Sequence, residues 1–188
     1  MIRKFFIVLI ISVCCFIIEA KEPSKGYRGL VDLNTEIYFD SKYIYSPDGP
    51  VSKKFETYWL YGISTTHGYQ FNNHFFLGGG IELQFGGGAA GNNISEVIFI
   101  QARTDWTFGK VPLYADIRLG GTLFGRDIDN EVDKILIAPA IGYRLDILKK
   151  IKFNVGLGLS LHGCDGGYHA SAHYTWKPFP TLRFGIEF

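Results

Sequence analysis

Eight separate stretches of this 188-residue chain alternate apolar and polar residues one by one, with turn-forming residues between them. Side chains that switch faces at every step are the signature of β-strands. The first run, 27–39, sets Tyr27, Gly29, Val31, Leu33, Thr35, Ile37 and Phe39 against Arg28, Asp32, Asn34 and Glu36. The second, 55 to about 66, sets Trp59, Tyr61 and Ile63 against Glu56, Gly62 and Ser64. Runs at 75–85, 94–106, 113–124, 135–145, 151–162 and about 179–188 repeat the pattern. The sixth contains Pro139, which cannot donate to a ladder and marks a weak point in it.

Most of these runs have the roughly 9–11 residues that a tilted strand needs to cross a membrane. The stretches between them alternate too. Long polar segments at 40–54, 86–93, 125–134 and 163 to about 178 take turns with shorter ones near 68–73, 109–112 and 146–150. Short inner turns and longer outer loops are the asymmetry expected of a membrane barrel. After the N-terminal apolar run no segment approaches a membrane-spanning helix, so a chain seated in lipid must close its sheet to satisfy every backbone group. The expected fold is all-β, an eight-stranded antiparallel up-and-down transmembrane barrel over residues 21–188.

Residues 1–20 have the layout of a secretory signal. Arg3 and Lys4 precede an apolar core at 5–18 that is too short to span a bilayer, and Ala20 offers a small residue for cleavage. Cys14 and Cys15 follow Val13, which is too large for a lipidation site. Removing the segment takes Arg3, Lys4 and Glu19 from 19 basic and 18 acidic residues, so the mature chain is neutral. A neutral chain has no bulk electrostatic attraction to nucleic acid. Cys164 is then the lone cysteine, which excludes an intramolecular disulfide.

Alternation alone does not say which face points inward. Composition does. The polar face is crowded with small residues: Gly62, Ser64, Gly78, Gly80, Gly120, Gly142, Gly156, Gly158 and Ser160. A water-facing surface has no need to be small, whereas the narrow interior of an eight-stranded barrel does. The apolar face carries no charge in these runs, and Arg or Lys at mid-membrane would cost about 2–4 kcal/mol there. Tyr27, Phe75, Trp106, Phe153 and Phe188 fall at one end of the runs, and Phe39, Phe55, Trp59 and Phe85 at the other. Two such belts suit the two membrane interfaces.

The final strand alternates from Leu182 and stops on Phe188. With the signal and the eight runs, this resembles small bacterial outer-membrane β-barrel proteins of the OmpX and OmpA membrane-domain type. The segments 65–71 and 76–80 look like a turn-and-strand pattern of outer-membrane β-barrel domain proteins. The resemblance implies a cell outer-membrane location in a Gram-negative bacterium. It also implies contact with the lipids and with the barrel-assembly machinery, for which Phe188 would be the C-terminal assembly signal.

With the first strand rising from the periplasm, inward charges sort by height. Arg28, Asp32, Arg103, Asp105, Asp116, Arg118, Arg144, Lys152, Arg183 and Glu187 are expected to form a paired network that plugs the lumen, since buried charges must be matched. Above them Glu36, Glu56, Glu82 and Glu96 have no basic residue in register. Their repulsion makes the outer mouth a possible cation site. Asp127, Asp129, Glu131 and Asp133 share the every-second-residue spacing of a calcium loop. Val132 and Ala138 stand where an EF-hand needs glycine and glutamate, so that motif fails. No cofactor or resident metal is expected.

Lipid A deacylases of the outer membrane resemble the chain in size and carry a late His-x-Ser-Asn motif. Here His169-x-Ser171 is followed by Ala172, and Cys164 stands two residues after His162. Those departures favour a non-enzymatic, structural or surface-interaction protein, with a lipid A hydrolase and a small cation-preferring channel as the alternatives. A surface ligand would meet the outer loops, where Tyr43, Tyr45, Tyr168, Tyr174 and Trp176 lie.

Overall fold

In the computed structural model the residues described are 25–44, 52–88, 91–125, 133–146, 151–165 and 174–188. Eight strands are present: β1 (Gly26–Ile44), β2 (Ser52–Gln70), β3 (Phe75–Gly88), β4 (Gly91–Phe108), β5 (Val111–Gly125), β6 (Asp133–Leu145), β7 (Lys152–Asp165) and β8 (Tyr174–Glu187). Each pairs antiparallel with its neighbours in sequence, and β8 returns to β1 to close the barrel. Closure leaves inner and outer surfaces, and the period-two alternation assigns the side chains between them. Arg28, Asp32, Gln101, Arg103, Arg118 and Arg183 are buried inside, while Leu33, Ile81, Ile100, Leu119, Ile141 and Leu157 are exposed outside.

The strands are longer on the outer side than the alternating runs suggested. β1 and β2 each extend over 19 residues and stay paired from Gly26↔Gln70 to Ile44↔Ser52. The stretch 86–93, expected to be a long loop, is mostly hairpin: β3 and β4 pair through Gly86↔Asn93 to Gly88↔Gly91. Glycines and asparagines there indicate turn chemistry, yet once the neighbouring rungs are made, extending the ladder satisfies more backbone groups than leaving it open.

On the inner side the turns are short. Asn72 caps the β2–β3 turn, its Oδ1 accepting from the backbone N–H of His74 and of Phe75, both at 2.8 Å. Between Phe108 and Val111 only two residues intervene, and Gly109 takes φ +63°, a left-handed conformation that glycine adopts without steric cost.

Prolines leave local marks. Pro139 does not break β6: it faces outward, and the β6–β7 ladder omits Ala138 and Pro139 before resuming in the same register at Ala140↔Gly158. A bulge at Glu96/Val97 admits one extra residue of β5, so that Glu96 opposes Phe124 and Val97 opposes Thr122.

Phe188 closes the seam. Its N–H donates to the carbonyl of Gly29 at 3.0 Å, and Gly29 donates back at 2.8 Å. Its ring lies over Gly29, where a Cβ would come within 2.7 Å of the ring's Cζ. Expected in an aromatic belt, Phe188 is instead 7 % exposed because the missing side chain of Gly29 makes room for it.

Candidate functional site: the barrel lumen

The inner and middle lumen hold ion pairs at two heights. At the lower one Arg28 bridges strands, Nη1 reaching Asp105 at 2.6 Å and Nη2 reaching Glu187 at 2.6 Å. Arg103 joins the same two carboxylates at 2.8 and 3.5 Å, and Arg144 and Lys152 approach from the rim at 3.5 and 3.8 Å. Higher up, Arg118 pairs with Asp32 and reaches Glu82 at 3.4 Å, while Arg183 pairs with Asp116 at 2.7 Å. Neutral side chains fill in between: Gln101 donates to Asp116 at 3.0 Å and accepts from Thr66 at 3.0 Å. All ten residues expected in the interior network are therefore in ion pairs with one another.

Inward aromatics were not anticipated from the sequence, and they explain the glycines. The Arg118 guanidinium lies 4.7 Å from the ring of Phe99, Arg103 lies 3.9 Å from Tyr114, and Arg28 lies 5.3 Å from Phe76. Behind each ring are glycines of neighbouring strands. A Cβ on Gly80 would come within 2.5 Å of the Phe99 ring, while one on Gly120 would meet the carbonyl of Ile98 and the root of the Phe99 side chain. Gly142 and Gly156 make the same room for Tyr114, as do Gly68 and Gly78 for Phe76. The small-residue face is a set of ring seats, each ring held between a glycine-backed wall and a cation. The signal was present in the sequence: Phe76, Phe99 and Tyr114 share strand parity with the interior charges.

The outer lumen is different. Glu36 accepts from Ser160 at 2.7 Å and lies 3.0 Å from His162 Nε2, and Ser160 also meets Thr181 at 2.8 Å. Around this cluster are apolar and aromatic groups: Val97, Leu136 and Ala138 pack together, and Tyr38 stacks on Phe179 at 4.9 Å and on Tyr58 at 6.3 Å.

This corrects the expected ring of glutamates. Glu36 and Glu82 are not short of partners, because Glu82 also accepts from Asn34 at 2.8 Å and from Gln84 at 3.1 Å. Glu96 does not face the mouth at all. It is exposed on the outer wall, in register with outward Leu83. At a strand's outer end that face has left the hydrocarbon, so charge ceases to report the direction of a side chain. Glu56 pairs through its backbone with Asp40, and its side chain lies outside the described residues. Among the described residues no group of three or more His, Cys, Asp or Glu has metal-binding geometry. Asp127, Asp129, Glu131, His169, Ser171, Tyr45 and Tyr168 lie outside the described residues, as does the segment 1–20.

No family model matches the chain, and no curated protein matches it in sequence. Solved structures do match in fold. Neisserial surface protein A superposes with a TM-score of 0.55 at 14 % identity, over 86 % of this chain and 97 % of that one. The fold is that of a small transmembrane β-barrel. Ail, the attachment invasion locus protein of Yersinia pestis, gives a TM-score of 0.43 at 11 % identity, covering 87 % of this chain and 99 % of that one. A designed transmembrane β-barrel gives 0.45 at 10 % identity, over 90 % and 98 %.

Proposed function

We propose that this chain is an outer-membrane surface-interaction protein of the OmpX and OmpA membrane-domain type, with a plugged lumen. Exported by residues 1–20, it would rest among outer-membrane lipids after assembly through the C-terminal strand. The observation that carries the reading is the lumen: each basic side chain of the interior network has a carboxylate partner, and glycine-seated rings fill the space between. An open pore needs a continuous hydrated path, which this packing opposes. The likeness to Neisserial surface protein A supports the fold and, through it, a membrane location. Recognition of a surface partner belongs to the outer ends, where β1 and β2 extend past the length needed to span and Phe39, Phe55 and Trp176 are exposed.

Two measurements test this reading. In planar bilayers the purified barrel is expected to show no large steady conductance; such conductance would establish a channel instead. Replacing the segments 45–51, 126–132 and 166–173 with short turns is expected to abolish surface binding while leaving the heat-dependent gel mobility of the barrel intact. If binding survives in that variant, recognition is not an outer-loop property.

A further inference from the structure

The β1–β8 seam closes the barrel along only part of its height. Gly29 and Phe188 exchange two backbone hydrogen bonds, so the hydrogen-bonded rungs recur at every second residue above them: Val31 with Ile186, Leu33 with Phe184 and Thr35 with Leu182. The same register continued would set Ile37 against Pro180 and Phe39 against Pro178. Neither proline has an N–H to donate. Among the described residues the ladder ends at Glu36↔Thr181, just below those two positions. The β7–β8 ladder is unaffected, running through Leu159↔Pro180 and Leu161↔Pro178, because these prolines turn their nitrogens toward β1. Pro139 costs the β6–β7 ladder one interruption that then heals; Pro178 and Pro180 each take away one of the two bonds of a rung, and among the described residues the ladder does not resume.

Pro180 and Pro178 lie eight and ten residues from Phe188. Since a tilted strand crosses the apolar band in about 9–11 residues, these rungs fall at its outer edge. An unpaired edge facing hydrocarbon is costly, and closed barrels ordinarily have none. The outer wall on both sides of this stretch of the seam is apolar. Phe39 is 64 % exposed on the outer wall, with Pro178, Pro180 and Trp176 exposed across from it. On the inner side Tyr38 and Phe179, directly opposite by register, close the seam with stacked rings, with Lys177 Nζ 5.7 Å from the Tyr38 ring and the His162 ring 4.5 Å from that of Phe179.

We propose that this part of the seam is a lateral entry for a hydrocarbon chain of an outer-leaflet lipid. The chain intercalates between β1 and β8 and displaces the Tyr38–Phe179 stack to reach the outer lumen beside Tyr58. The occupant follows from position and lining: this part of the seam meets the membrane where acyl chains begin, and its outer wall is apolar, with Phe39 on β1 and Trp176, Pro178 and Pro180 on β8. The proposal rests on the membrane reading above, and the test separates the two.

Tryptophan reporters in brominated phosphatidylcholine vesicles provide it, each in a chain whose other tryptophans are replaced by Phe. Trp59 lies at the same height on the outer wall, in register with Ile37, and reports insertion. Phe179→Trp reports the lumen side, and Tyr38→Trp on the opposite strand serves if that variant does not fold. The expected result is that the lumen reporter is quenched as fully as Trp59, and that Pro178→Thr with Pro180→Val restores its unquenched emission. Quenching of Trp59 with a silent lumen reporter overturns the proposal, and so does quenching that the proline replacements leave unchanged. An unquenched Trp59 overturns the membrane reading itself.

Discussion

The inner and outer halves of the barrel are held together by different physics. Below, β1 and β8 are joined by backbone rungs from Gly29–Phe188 to Glu36↔Thr181, and the lumen is saturated with ion pairs that span several strands. Above, the seam depends on a ring stack, and the lumen holds one small cluster of Glu36, His162, Ser160 and Thr181 with apolar and aromatic side chains around it. A buried charge network is strongly directional, and losing one member strands another charge in a place without water. Ring stacks and apolar contacts tolerate displacement. The comparison teaches that the half bearing the short turns is held by directional ion pairs and an unbroken seam, and the other half by ring and apolar contacts.

The largest effect is expected from Arg118→Ala. It leaves Asp32 and Glu82 buried without their shared cation, at a cost of about 3–5 kcal/mol. Denaturant unfolding in detergent micelles measures it. A loss no larger than that of an outer-wall substitution would break the distinction between the halves.

Phe188→Ala comes next, because it bares Gly29 and removes a buried ring worth about 2–3 kcal/mol. The paired control on the outer seam is Phe39→Ala, expected to cost less, since that ring lies exposed on the outer wall and loses contact with lipid or detergent rather than a seat within the protein. Equal effects on the unfolding midpoint would show that the seam is uniform. Gly80→Val should cost about 1–3 kcal/mol, since its side chain enters the seat of the Phe99 ring and crowds the backbone carbonyl of Thr65. The same assay reads it, and a neutral result would mean that the ring seats are loose.

Glu36→Gln should be milder, about 1 kcal/mol, because the amide oxygen still accepts from Ser160. A loss matching Arg118→Ala would place the outer cluster in the same class as the inner one. The smallest effect concerns divalent ions. Wild type and a Glu36→Gln, Glu82→Gln variant should respond identically when calcium replaces chelator in a thermal melt. A ligand bound only by the folded wild type would raise its midpoint alone.

Strand number and most inward assignments were legible because lipid outside and a narrow lumen inside impose opposite demands on alternate residues. Arg28, Arg103 and Arg118 could be placed inside from parity alone. Strand ends were less legible: 86–93 looked like a loop although it carries the β3–β4 ladder, and Glu96 was assigned inward by its charge rather than by its parity with Ile98. Parity is a local property, whereas the length of a ladder depends on whether the partner strand continues beside it.

The sequence by itself determined a sheet of eight strands, its two faces and the need to close. It also determined, through Pro178 and Pro180, which edge positions have no donor. Only the tertiary structure decided that those positions face β1, that Glu36 meets His162 from across the closure, and that each ring lies over particular glycines. The reason is stagger. Neighbouring strands slide relative to one another as the barrel closes, and the period of two, identical at every height, carries no record of how far.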